Sequence, residues 1–325
     1  MLIFDGKQTE FESEIHKIIW AMGRRIVPFN ISAAEIIDTD MLEGLKQVYD
    51  FTTELFSDMY ANSARYNLTT KNVGFLHDYF FRLLKRKKAK LVDYELTLKV
   101  DDGSFEELKM LDLYEHMGIH YEINDGAATI KSRKYPLFLK YFSMCVAASQ
   151  KRPQSNLAYV TYCDFRIFNK RFSLKIDDFA RGLPDREQTL LWELHNYLIS
   201  SGAKLEPRSN YDTIKYSYKK RHIVQVGTWL SKPLSIRVVI ENILNGNIES
   251  LPNNDELPAY ISDNMIICNY CCTSSRDKSC GKGRLVNFLD KQRLSCGGEL
   301  RIPGKQNSVA EYDIKMLKQI LLFIV

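Results

Sequence analysis

An α+β fold is predicted by three observations. Apolar residues recur at helical spacing through much of the first 150 positions, the period shifts to two between Tyr211 and Ile240, and five of the seven cysteines gather in the last fifth of the chain. The expected architecture is a mainly helical N-terminal region, then an antiparallel β-meander with flanking helices and a C-terminal zinc-ribbon-like cysteine segment. At 325 residues, 45% hydrophobic and 26% charged, the chain is long enough for more than one domain. The polar stretch Ser149–Asn156, which contains Pro153, reads as a linker and predicts domains at 1–150 and 157–325.

Each element follows from a local pattern. Phe11, Ile15, Ile18, Ile19 and Met22 fall on one face of a helix that ends before Pro28. Asp38 and Asp40 suit the N-terminus of a second helix carrying Leu45, Val48, Leu55 and Phe56. A third helical stretch, Val73–Arg86, runs into the basic Lys85-Arg86-Lys87-Lys88. Leu91–Val100 reads as a strand, and Ser104 with Glu107 forms a capping box for a helix ending near Gly118. Ile119–Ile123 and Ala127–Lys131 flank Asn124-Asp125-Gly126 as a β-hairpin. This helix–hairpin unit near 104–132 has the outline of a winged helix, against which stands the plainer reading of an α+β core element with His116 and His120 as capping or core residues.

Pro136–Ala148 is again helical, the residues around Cys163 are strand-like, and Arg186–Ser200 is a helix stopping at Gly202. Tyr211–Tyr218, His222–Trp229 and Leu234–Ile240 then form the meander. Arg284–Leu289 and Leu294–Ile302 pair across Asp290-Lys291-Gln292, and Asp313–Ile324 closes the fold as a helix.

The longest apolar stretches, such as Ile320–Val325, fall short of the roughly 20 residues that span a bilayer, so no membrane association is expected. Met1–Asp5 lacks the basic and apolar regions of a secretory signal, and a cytoplasmic location is expected. Phosphate-loop, dinucleotide-binding, nucleophile-elbow and His-Glu-x-x-His patterns are absent from the sequence. Asp101-Asp102 and Asp177-Asp178 read as turn residues, not as catalytic carboxylates.

The cysteine cluster carries the most specific chemistry. Cys268, Cys271, Cys280 and Cys296 form an economical four-thiolate zinc set with Cys272 spare, although Cys272 would replace Cys271 after a one-residue shift of the knuckle. Gly281, Gly283, Gly297 and Gly298 permit close backbone approach, and Lys278, Lys282 and Arg284 offset the thiolate charge. A reducing compartment and an odd cysteine total weigh against disulfides. Four thiolates leave no open coordination position, so the expected zinc is structural. Cys163, before Asp164-Phe165-Arg166, is read as a small core residue beside an Asp164–Arg166 ion pair, with an activated thiol as the alternative.

The net charge of +5 is unevenly spread. Residues 1–70 hold 11 acidic against 6 basic side chains, whereas Lys204–Arg237 holds eight basic against two acidic. Tyr218, Lys219, Lys220 and Arg221, interleaved with Tyr211, Tyr216 and Trp229, form the first surface to suspect for a nucleic-acid partner, because aromatics stack on bases while cations hold phosphates. The same residues also suit a sheet core and its solvated face. The functional expectation is a non-enzymatic protein with a structural zinc and a basic β-face that binds nucleic acid or an acidic protein. The alternative is a small-molecule enzyme or sensor with a pocket between the two halves.

The order of Cys163-Asp164-Phe165-Arg166, the helix after Leu183-Pro184-Asp185, the basic meander and the terminal Cys268, Cys271, Cys280 and Cys296 resembles a group of uncharacterised bacterial proteins over about the second half of the chain. The resemblance implies a bacterial cytoplasmic protein with a terminal cysteine cluster, and it carries no activity.

Overall fold

The computed structural model describes residues 11–29, 39–69, 80–84, 89–100, 108–151, 158–169, 172, 174–206, 213–227, 234–240, 256–267, 283–288, 291–303 and 308–325. Helices and antiparallel sheets are mixed throughout, and the chain divides into two compact units, Met1–Ser173 and Leu174–Val325.

In the first unit, α1 (Glu14–Arg25) starts where the Ser13 hydroxyl accepts the His16 backbone N–H at 3.2 Å, satisfying one of the orphan donors of a helix N-terminus. Both α1 and α3 (Phe138–Gln150) pack on α2 (Thr39–Ala61). Phe51 of α2 stacks on Phe138 of α3 with ring centroids 4.0 Å apart, and Phe80, Tyr114 and Phe142 close around them. A Cβ at Gly44 would lie 1.9 Å from the ring of buried Tyr141. The absence of a side chain there is what lets α2 approach α3 so closely.

Residues expected as one strand, Leu91–Val100, instead form a hairpin of β1 (Lys90–Val92) and β2 (Glu95–Lys99). The reversal falls at Asp93-Tyr94, whose φ values of 46° and 72° are left-handed without a glycine to mark the turn. The hairpin of β3 (Ile119–Asn124) and β4 (Ala127–Ser132) follows the Asn-Asp-Gly reading, with φ of 49° at Asp125 and 72° at Gly126. The two hairpins join in a four-stranded antiparallel sheet ordered β1-β2-β4-β3. A 3-10 helix, Met110–Met117, precedes this second hairpin and ends at left-handed Gly118. The tip carries Asp125, Glu122 is exposed, and Lys131 is paired with Glu95 at 3.3 Å; Ser104 and Glu107 of the expected helix–hairpin unit lie outside the described residues.

His116 serves a structural purpose. Its Nε2 lies 3.0 Å from Asp58 Oδ2, and Asp58 also accepts hydrogen bonds from the buried Tyr66 hydroxyl and from Asn62 and Arg65. Burial pushes the Asp58 carboxyl up, but the Tyr66 and Asn62 hydrogen bonds and the charges of His116 and Arg65 together hold it below its ordinary range. The cluster ties the C-terminal end of α2 to the 3-10 helix.

The described residues around Cys163 are not the strand-like stretch expected. They form the short helix α4 (Ala158–Thr161) and a 3-10 turn, Phe165–Phe168. Residues 158–165 are all buried, which removes the alternation that separates strand from helix in a sequence. These residues pack on α3, and the Val27 N–H donates to the Tyr162 carbonyl at 2.8 Å. The first unit therefore extends to Ser173, beyond the Ser149–Asn156 segment.

The second unit is built on a seven-stranded antiparallel sheet. β5 (Lys204–Leu205), β6 (Thr213–Tyr218), β7 (Arg221–Gly227) and β8 (Ser235–Val239) run in sequence order, and β11 (Lys291–Ile302) adds beside β8. β10 (Gly283–Phe288) pairs with the first half of β11, and β9 (Met265–Ile267) also pairs with β11, which bulges between Ser295 and Leu300. The α5 (Ile176–Ala180), α6 (Asp185–Ser200), α7 (Glu256–Asn264) and α8 (Glu311–Leu321) helices complete the unit.

One face of this sheet is core: Ile214, Tyr216, Val224, Val226, Ile236, Val238, Leu300 and Ile302 are all fully buried. α6 is fixed to it by His195 Nδ1, 2.9 Å from the Tyr216 hydroxyl, and by Glu187, which accepts the Leu234 N–H at 3.2 Å. α8 is fixed to α6 through the Tyr197 hydroxyl, which donates to the Lys318 carbonyl at 3.0 Å, and through the Lys318–Glu193 ion pair at 2.6 Å. Asp313 caps α8 by accepting the Ala310 N–H and binds the Tyr260 hydroxyl of α7 at 2.7 Å. No helix among the described residues is long and apolar enough to cross a membrane.

Burial lowers the pKa of His195, with the Asp177 charge opposing in part. The folded protein therefore resists protonation there, while the unfolded chain takes up a proton at the ordinary histidine value of about 6.5. The stability involved is complete above that pH and is lost as pH falls below it toward the lowered folded value. The unfolding midpoint of the wild type is expected to fall between pH 7 and pH 5 more steeply than that of His195→Gln, measured by circular dichroism melts. Identical slopes would remove His195 as a contributor.

Candidate functional site

Strand register gathers the basic residues of the second unit. Residues paired in an antiparallel ladder point to the same face, and neighbours along a strand point to opposite faces. Lys215 pairs with Gln225, Gln225 with Arg237, and Arg237 with Arg301. These four residues form one row across four adjacent strands, on the face opposite Tyr216, Val224, Val238 and Leu300. At about 4.8 Å per strand the row spans about 14 Å. Arg301 is exposed and the other three are half-buried.

Arg237 directly opposes Arg301, an arrangement of like charges that destabilises a strand pair. Neither makes an ion pair among the described residues. Glu299 is the carboxylate nearest in register, two residues before Arg301 and opposite Val239. It offsets part of the charge, and Glu206, whose backbone N–H donates to the Lys215 carbonyl at 2.8 Å, adds a second carboxylate on this face, so three cations stand against two anions.

Toward the β6–β7 turn the same face opens into a cleft of about 930 Å³. It is lined by Tyr218, Lys219, Arg221 and His222 of the β6–β7 hairpin, by Ile223 and Val239, and by residues 322–325, which follow α8. Ile223 and Val239 lie two residues along their strands from Gln225 and Arg237, so the cleft is continuous with the basic row. His222 Nδ1 lies 3.1 Å from Glu206 Oε1, which fixes the ring.

The turn itself is made by Lys219 and Lys220, with φ of 46° and 67°, and Tyr218 pairs directly with Arg221. Left-handed backbone costs an ordinary L-residue roughly 1–2 kcal/mol. It is tolerated here because a two-residue connection between right-twisted strands requires it. The geometry presents Lys219 and Lys220 in solvent, and the Lys219 ammonium sits 4.8 Å from the Tyr218 ring centroid.

The structure thus brings Tyr218, Lys219 and Arg221 together at one cleft and leaves Lys220 on the outer side of the turn. Tyr216, also suspected from sequence, faces the core and is fully buried. Tyr211 and Trp229 lie outside the described residues. Lys215, Arg237 and Arg301 were not singled out in the sequence reading. Lys215 and Arg237 alternate with buried Tyr216 and Ile236, a pattern that places them outward, whereas Arg301 joins them only through the β8–β11 pairing.

Cys268, Cys271 and Cys280, together with the spare Cys272, lie outside the described residues, as does the side chain of Cys296. Among the described residues no group of three or more His, Cys, Asp or Glu side chains is placed to hold a metal ion. Cys163 is buried, with its Sγ 4.0 Å from the Val48 carbonyl oxygen, and burial pushes its thiol up to about 12. At neutral pH it is protonated and shielded, which fits a core residue and not an activated nucleophile. Asp164 and Arg166 form the expected ion pair, bidentate at 2.6 and 2.8 Å.

No protein-family model matches the chain, and neither a curated protein nor a solved structure matches it.

Proposed function

We propose that this is a non-enzymatic binding protein that holds nucleic acid against the basic outer face of its seven-stranded sheet. The observation that carries the reading is the pairing of Arg237 with Arg301 in a row with Lys215. Like charges facing each other across neighbouring strands are a local cost, and a phosphate between them turns that repulsion into two charge-assisted hydrogen bonds. Arginine suits this geometry because its planar fork matches phosphate oxygens. A chain of phosphates would extend the contact along the row and onto Lys219 and Arg221.

A structural zinc held by Cys268, Cys271, Cys280 and Cys296 belongs to the same proposal. Its support is the Cys-x2-Cys spacing together with the register of the flanking strands. Cys296 pairs with Gly283, three residues after Cys280, and Ser295 pairs with Ile267, the residue before Cys268. The strands that flank the cysteine segment thus pair with β11 at Cys296 and at its neighbour Ser295. The zinc would brace the β9–β11–β10 end of the sheet whose other half carries Arg301. A cytoplasmic setting, where thiols stay reduced, fits such a site.

In fluorescence anisotropy with a labelled 15-nucleotide probe, binding is expected to weaken steeply as salt rises from 50 to 200 mM. Arg237→Ala should reduce the log–log salt slope by about 1 while the protein stays folded. A folded protein that binds neither DNA nor RNA at 50 mM salt would end this reading. Elemental analysis of protein purified without added metal should find about one zinc per chain, lost in Cys268→Ser and in Cys280→Ser. Metal-free, fully folded wild type would contradict the zinc part of the proposal alone.

A further inference from the structure

The cleft beside the basic row has a composition that a duplex backbone cannot use. Its lining combines the cations Lys219 and Arg221 with the apolar Ile223, Val239, Leu322 and Phe323. Leu322, a large apolar side chain, is 70% exposed. Phosphates would use only the cations. The apolar residues fit a flat, unpaired ring attached to those phosphates.

We infer that the ligand of this face is single-stranded nucleic acid, with one or more bases turned into the cleft against Phe323 and Leu322 while the backbone follows Lys219, Arg221 and the Arg237–Arg301 row. The inference rests on the proposed nucleic-acid reading and narrows it. In a duplex the bases are stacked and paired inward, so only phosphates and groove edges reach a protein surface. A single strand offers each base a free face, and an aromatic partner captures it with little regard to sequence. The volume of about 930 Å³ leaves room for more than one base and explains why the cleft is wider than a phosphate site needs. The Glu206–His222 pair fixes the imidazole among the residues that line the cleft.

The test compares a labelled 15-nucleotide oligothymidylate with a 15-base-pair duplex at the same salt. The single strand is expected to bind at least tenfold tighter. Phe323→Ala should weaken single-strand binding about tenfold, in line with one lost stacking contact, and change duplex binding less than twofold. Phe323→Trp, which keeps a ring, should retain wild-type affinity. Leu322→Ser alters an exposed residue with little packing to lose and should weaken single-strand binding without lowering the melting temperature, so the test stands even where Phe323→Ala fails to fold. Equal affinity for both probes, or indifference of single-strand binding to Leu322→Ser and Phe323→Ala in folded protein, would overturn the single-strand inference while leaving a charge-only face. Absence of binding to both probes would overturn the nucleic-acid reading itself.

Discussion

Alternation of side chains across the β6–β7–β8–β11 ladder is the constraint on which the second unit depends. Burying Tyr216, Val224, Val238 and Leu300 on one face obliges their neighbours Lys215, Gln225, Arg237 and Arg301 to take the other. A slip of one residue between any two strands would send a cation into the core and a large apolar group outward, an exchange costing several kcal/mol per residue pair. Register is thus set by the core, and the charged row on the opposite face comes with it. The Arg237–Arg301 opposition is tolerated in the free protein because the apolar layer beneath outweighs it.

The helices and turns serve that register. α6 reaches the buried layer through His195 and Tyr216, and α8 holds α6 from outside through Tyr197 and Lys318. The two left-handed lysines at the β6–β7 turn place cations at a position usually given to asparagine and glycine. Their backbone cost is local, whereas the gain is a charged tip beside a cleft also lined by the residues that follow α8. The first unit is organised differently, around the aromatic stack of Phe51 and Phe138 and the close approach at Gly44.

Much of the fold was readable wherever a segment carried its own periodicity or turn chemistry. α1, α2, α6 and the β3–β4 hairpin follow from apolar spacing, the acidic start of α2, and the Asn124-Asp125-Gly126 turn. The β1–β2 turn was hidden because Asp93-Tyr94 contains no glycine, and residues 158–165 were misread because complete burial erases the difference between periods. The candidate site was legible at Tyr218, Lys219 and Arg221, which fall within four consecutive positions. Its charged row was not, since Lys215 and Arg301 are 86 positions apart and meet only through three successive strand pairings.

If the outer face is shaped for a polyanion, relieving its internal repulsion should stabilise the free protein and impair the bound one. The measurement that addresses this most directly is the melting temperature of wild type and Arg301→Gln, each with and without saturating oligothymidylate. The account predicts that Arg301→Gln melts at a higher temperature than wild type when free and gains less on adding the oligonucleotide. A variant that is no more stable when free, and is stabilised by the oligonucleotide as much as wild type, would contradict it.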